Sequence, residues 1–130
     1  MSHRILQPDG WARPRGYANG VAAEGRQVFV SGQIGWDAAQ RIVSDDFAAQ
    51  ARQALANIVA VLATAGAVPA HLVRLTWFVT SRDEYNAALT EIGAAYRELI
   101  GRHYPAMSVV VVAGLLEPRA KVEIEATAVI

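Results

Sequence analysis

The run Ser108-Val109-Val110-Val111-Val112 constrains this chain more than any other feature, because as a strand it presents apolar side chains on both of its faces. Such a strand needs cover on two sides. The last segment, Lys121 to Val129, follows a different rule. Val122, Ile124, Ala126 and Ala128 alternate with Glu123, Glu125, Thr127 and Val129, so one face is apolar and the other carries two carboxylates roughly 7 Å apart.

Two helices are available to cover these strands. From Phe47, the residues Ala51, Ala54, Leu55, Ile58, Val61, Leu62 and Ala65 share one helical face, with Ser44 or Asp45 as N-cap and Gly66 at the C′ position. A second helix is expected from Asp83, with the stripe Tyr85, Leu89, Ile92, Tyr96 and Leu99 and a stop at Gly101. Helices of this length shield only one side of a five- or six-stranded sheet, so the other side is expected to meet a second subunit. The composition agrees: 53% hydrophobic and 18% charged residues are apolar for a monomer.

The remaining strands are Leu72 to Thr80, rich in β-branched and aromatic residues, and a hairpin of Tyr17 to Ala23 with Val28 to Gly32 across Glu24-Gly25-Arg26-Gln27. Gln33 to Val43 reads as irregular. The order is strands, helix, strand, helix, strands, which is α+β with both helices on one face of a mixed sheet of about six strands. With no repeat or linker, residues 1–130 are expected to form one domain.

Several chemistries lack their residues. Twelve basic and twelve acidic side chains cancel, so no net field draws the chain to nucleic acid or to anionic lipid. Lys121 is the only lysine, and cysteine is absent, which removes disulfides, thiolate nucleophiles and sulfur-ligated metals. His3, His71 and His103 are scattered and form no metal motif, and neither a Walker loop nor a Gly-x-Ser-x-Gly elbow occurs, so no metal is expected. No run approaches the roughly 20 apolar residues of a membrane span, and a cytoplasmic address without membrane association is expected.

Glu123 and Glu125 fall on the face turned toward the expected neighbour. A carboxylate there is paired with arginine, solvated at a wet rim, or part of a cleft.

Segment by segment, the chain resembles the RidA family, also called YjgF or L-PSP. The matching stretches are Gly16-Tyr17, Val28-Phe29-Val30-Ser31-Gly32-Gln33-Ile34, the helix positions Gln50, Gln53, Leu55 and Asn57 through Ala65-Gly66, Val73-Arg74-Leu75-Thr76-Trp77-Phe78-Val79, Tyr104-Pro105-Ala106 and Val122-Glu123-Ile124-Glu125-Ala126. The resemblance implies a chorismate-mutase-like α+β fold and a homotrimer with its sheets inside and its helices outside. It also implies a small-molecule cleft at each subunit boundary and no cofactor. Deaminase-type members hydrolyse reactive enamines and imines to carbonyl compounds and ammonia.

The resemblance further implies site residues. Glu123 matches the glutamate that positions the attacking water, Tyr17 the cleft tyrosine, and Ser31 the cleft floor. Deaminase-type members clamp the substrate carboxylate with arginine in Pro-Ala-Arg-Ser, where this chain has Pro105-Ala106-Met107-Ser108. The chain is thus a divergent member. Met107 is either a core filler or an apolar cleft residue selecting a different ligand. Trp36 either stacks on a ligand or seals an interface. Arg119, Arg13 and Arg15 are either replacement anion anchors or solvated charges. Between Phe78 and Tyr104 the chain looks longer than the simplest members by about one helical turn.

Three functions follow as expectations: an imine or enamine deaminase with altered substrate choice, a non-catalytic metabolite-binding trimer, and, least favoured, the ribonuclease or translation inhibitor of the older family label. The last would need a basic track for phosphate, which neutral charge and a single lysine do not supply.

Overall fold

The computed structural model describes residues 3–130. Its elements in chain order are β1 (Arg4–Leu6), β2 (Gly20–Ala22), β3 (Gln27–Ile34), α1 (Phe47–Thr64), β4 (Leu72–Val79), α2 (Arg82–Ala87), α3 (Leu89–Leu99), β5 (Ala106–Val111) and β6 (Val122–Val129). A four-stranded sheet runs β3-β6-β4-β5, and β1-β2 forms a separate ribbon tied to it by a bridge between Ala18 and Ala106. One sheet of about six strands was expected; the six strands found, including β1, which the sequence pattern does not mark, are divided between sheets of four and two. The sheet is mixed: β6 is antiparallel to both neighbours, while β4 and β5 are parallel and joined through α2 and α3.

The hairpin expected across Glu24 to Gln27 does not form. Arg26 and Ile130 exchange both backbone hydrogen bonds at 2.9 Å, so the chain end occupies the backbone groups that a turn would use. Gly25, at φ +144°, lies so close to the Ile130 carbonyl that any Cβ would collide with it. β3 therefore pairs with β6, and β2 turns away to pair with β1.

The core lies between the sheet and the helices. Val30, Leu72, Leu75, Trp77, Val79, Val122, Ile124, Ala126 and Ala128 pack against Ala51, Ala54, Leu55, Ile58 and Leu62 of α1 and Ile92 and Tyr96 of α3. Asp46 caps α1 by accepting from the Ala49 N–H at 2.9 Å, in place of the expected Ser44 or Asp45. Ser44 instead accepts from the Asp46 N–H, and Asp45 pairs with Arg119. Gly66 occupies the C′ position at φ +75°, as the pattern predicted.

The second helix begins at Ser81, whose Oγ accepts from the Glu84 N–H, and it breaks at Ala88. The break turns Leu89 out to solvent and puts Ala88 in its place against the core. Tyr85 of the short first piece closes one end of the core, edge-on to both Phe47 and Trp77.

β5 lies at the sheet edge beyond the reach of the helices. Val109, Val110 and Val111 keep 39%, 40% and 52% of their surface exposed, although the sequence places them on alternating faces. On the helix-free face, Phe29 is 71% exposed. No helix among the described residues is long and apolar enough to cross a membrane.

Candidate functional site

The register of the sheet decides what surrounds Glu123. β3 carries an irregularity between Val30 and Gln33, after which Ile34 faces Glu123 of β6. On the other side of β6, Glu123 is paired with Phe78, and Phe78 in turn with Val110 of β5. Ile34, Glu123, Phe78 and Val110 thus form one row on the helix-free face. The Glu123 side chain lies directly over Gly32, in space that any larger residue at that position would fill.

Glu123, Gly32, Ile34 and Trp36, with Leu116 and Glu117, enclose a cavity of about 280 Å³. Glu123 is half-buried and has no hydrogen-bond or ion-pair partner among the described residues. An unpaired carboxylate beside an indole and an isoleucine is equipped to orient and deprotonate a water molecule. Glu125, in the next row with Thr76 and Ser108, is exposed.

α1 supplies the scaffold through three amides. Asn57 donates to the backbone carbonyls of Ile34 and Trp36 at 3.3 and 2.9 Å, and Gln53 donates to Asn57 Oδ1 at 2.8 Å, which fixes the Trp36 loop. Gln50 is the one fully buried polar side chain among the described residues. Its Nε2 donates to the carbonyls of Ser44 and Arg119, and its Oε1 accepts from the Lys121 N–H at 2.8 Å, tying the entry of β6 to the entry of α1. Gly35 lets β3 approach α1 closely, since a Cβ there would come within 2.5 Å of Gln50 Cα.

The other candidates from the sequence lie elsewhere in the chain. Ser31 is next to Gly32, but its Oγ and carbonyl accept from Gln33 Nε2. Met107 falls in the row of Val30, Ala126 and Leu75, where it packs against the core from the helix side. Arg119 points both Nε and Nη2 at Asp45 Oδ1, at 3.3 and 3.0 Å, and lines a separate cavity with Glu84 and Lys121. Tyr17 lines a larger cavity of about 860 Å³ beside Tyr104, with Arg13 and Arg15. One chain therefore groups Glu123 with Trp36 and holds Tyr17 apart from them.

Residues 12–130 match the family model described as Endoribonuclease L-PSP. This chain belongs to the L-PSP family, also called RidA. It is 36% identical over 132 residues to the 2-iminobutanoate/2-iminopropanoate deaminase of Salmonella typhimurium, covering 99% of this chain and 98% of that protein. A crystal structure of a Rid-family protein of unknown function from Yersinia pestis matches it with a TM-score of 0.86 at 36% identity, covering both chains completely. The YjgF gene product of E. coli matches with a TM-score of 0.68 at 35% identity over 87% of each chain.

The amides of α1 are the part of this L-PSP site for which sequence reading assigned no role. Their signal is visible afterwards: Gln50, Gln53 and Asn57 interrupt an otherwise alanine- and leucine-rich helix at a spacing that places Gln53 and Asn57 one turn apart on the side of β3.

Proposed function

We propose that this chain hydrolyses the C=N bond of a reactive imine, or of the enamine that tautomerises to it, and does so as a homotrimer with a cleft at each seam. Its L-PSP membership and the deaminase names of its relatives support the reaction class. Exposed Phe29 and the uncovered valines of β5 support self-association, because bringing together apolar surface of this kind is worth roughly 25 cal/mol per Å². A neighbouring subunit would bring a Tyr17 half-site to a Glu123 half-site.

The observation that carries the chemistry is the free carboxylate of Glu123 over Gly32. Water adds to the imine carbon while Glu123 takes one of its protons. Glu123 returns that proton to the nitrogen to give the carbinolamine, then takes the proton of the adduct's hydroxyl group and passes it to the amino nitrogen as the C–N bond breaks, so that ammonia leaves and the carbonyl forms. The chain supplies general acid-base catalysis and position, and this role of one carboxylate is typically worth about 10²- to 10⁴-fold in rate.

Met107, where deaminase-type members carry arginine, supports altered substrate choice. It also favours a second reading, a trimer that binds a metabolite without turning it over. Ammonia release from 2-aminoacrylate and from imines generated by an amino-acid oxidase separates the two. Acceleration by wild type and its loss in Glu123→Gln support hydrolysis. Ligand-dependent thermal stabilisation with no turnover on any imine supports binding alone.

A further inference from the structure

The largest cavity among those described, about 860 Å³, lies beside Tyr17 and not beside Glu123. Arg13, Arg15 and Arg102 all line it, and no acidic residue does. None of the three guanidinium groups has a hydrogen-bond or ion-pair partner among the described residues, as is also true of Arg4, Arg74, Arg82 and Arg97; what sets these three apart is that they line one cavity. Like charges gather at this one place with nothing to balance them. Guanidinium groups hold carboxylates through paired N–H donors, and the missing charge here is that of an anion.

The walls indicate the rest of the ligand. Trp11, Tyr17 and Tyr104 line the same cavity, and the first two are exposed. The floor is fixed: Tyr104 stacks on Tyr96 with ring centroids 5.3 Å apart, Tyr96 donates to the His103 carbonyl at 2.6 Å, and Ala18 donates to the Pro105 carbonyl at 3.0 Å. The rim is held as well. Gln7 donates to the carbonyls of Trp11 and Ala12 and accepts from Asn19. The exposed faces of Trp11 and Tyr17 offer an aromatic ring a stacking surface that a three-carbon acid would not use.

We infer that Arg13, Arg15 and Arg102 form an anion anchor for a carboxylic acid bearing an aromatic ring, an aryl 2-oxo or 2-imino acid, in the cavity walled by Trp11, Tyr17 and Tyr104. The inference deepens the proposed hydrolysis by naming its ligand class, and it rests on that reading for turnover only. The anchor draws its charges from the N-terminal loop and from the turn before β5, away from Met107, which packs against the core.

The test is calorimetric titration of the full chain with phenylpyruvate and, separately, pyruvate. Wild type should bind phenylpyruvate at least tenfold more tightly than pyruvate. Each single change, Arg13→Gln, Arg15→Gln or Arg102→Gln, should weaken binding several-fold, and the triple variant by about 100-fold, less than three fully desolvated charged hydrogen bonds would give because these side chains are exposed. The three side chains are exposed and unpaired, so the variants should melt near wild type, and the single variants carry the test if the triple one does not fold. Equal affinity for both acids, unchanged affinity in the arginine variants, or no binding of phenylpyruvate overturns the inference. Glu123→Gln should still bind phenylpyruvate. If it does while wild type hydrolyses no imine, the anchor stands and the hydrolase reading falls; turnover of small imines without phenylpyruvate binding gives the reverse.

Discussion

The carboxylate of Glu123 occupies the space that a side chain at Gly32 would fill. The two residues lie on adjacent strands, β6 and β3, and the irregularity in pairing after Val30 brings them together. Gly32 has no positive φ, so alanine is permitted by the backbone there, and what it would strike is the Glu123 side chain from Cγ to its carboxylate. Gly32→Ala should therefore keep its stability within about 1 kcal/mol of wild type while swinging the carboxylate away. Ammonia release should fall at least tenfold while the melting temperature moves by no more than about 5 °C. Full activity in Gly32→Ala would mean that the orientation of Glu123 is not what the reaction uses.

The amide of Gln50 joins three backbone groups from two distant segments, and its side chain is fully buried. Gln50→Ala leaves the carbonyls of Ser44 and Arg119 and the N–H of Lys121 without their partner. A fully buried orphan costs roughly 1–3 kcal/mol, and because these three groups are only partly buried, water recovers part of that. Urea unfolding should show a loss of about 3 kcal/mol. A loss below 1 kcal/mol would indicate that these groups are readily satisfied by solvent.

This contrast marks what the sequence could disclose. Helix α1 and strands β4, β5 and β6 were legible because their patterns depend on local periodicity: the stripe from Phe47 to Leu62 and the alternation from Val122 to Ala128 needed no knowledge of partners. The hairpin at Gly25 was not legible, since its backbone groups go to Ile130, which is remote in the chain, and no local signal reports a competitor at that distance. The break at Ala88 lay hidden in a stripe that reads as continuous. Site residues divided in the same way. Strand alternation marked Glu123 and Glu125 alike and only the family resemblance singled out Glu123, while Met107 and Arg119 could be placed only by pairing across the sheet and by the ion pair with Asp45.

Val110 shares its row with Glu123 and Phe78 on the face that no helix covers. Because the side chain is 40% exposed in the single chain, a charge there costs that chain little, whereas at a subunit seam it would be buried without a partner. Val110→Lys should shift the assembly to smaller species in light scattering at micromolar concentration while leaving the circular dichroism spectrum unchanged. If wild type itself runs as a single chain, or if Val110→Lys assembles as wild type does, this face is not the seam.

Tyr96 contributes to the loss of stability in alkali, as half-buried Tyr85, also raised by burial, does to a lesser degree. The Tyr96 phenol is buried between α3 and Tyr104, and burial, with the neighbouring Tyr104 adding to it, raises its pKa well above the ordinary value of 10.0. The neutral form is the one that donates to the His103 carbonyl at 2.6 Å. A pKa raised by folding stabilises the folded state fully below the pKa of the unfolded chain. That contribution declines once the pH passes about 10, where the unfolded chain gains by ionising while the folded one does not. Tyr96→Phe should cost about 1 kcal/mol at pH 8, from the lost hydrogen bond. At pH 11 the gap between wild type and variant should be smaller, because phenylalanine has nothing to ionise. Urea midpoints at the two pH values measure it, and a gap that stays constant or widens would show that Tyr96 ionises as readily in the folded protein as in the unfolded chain.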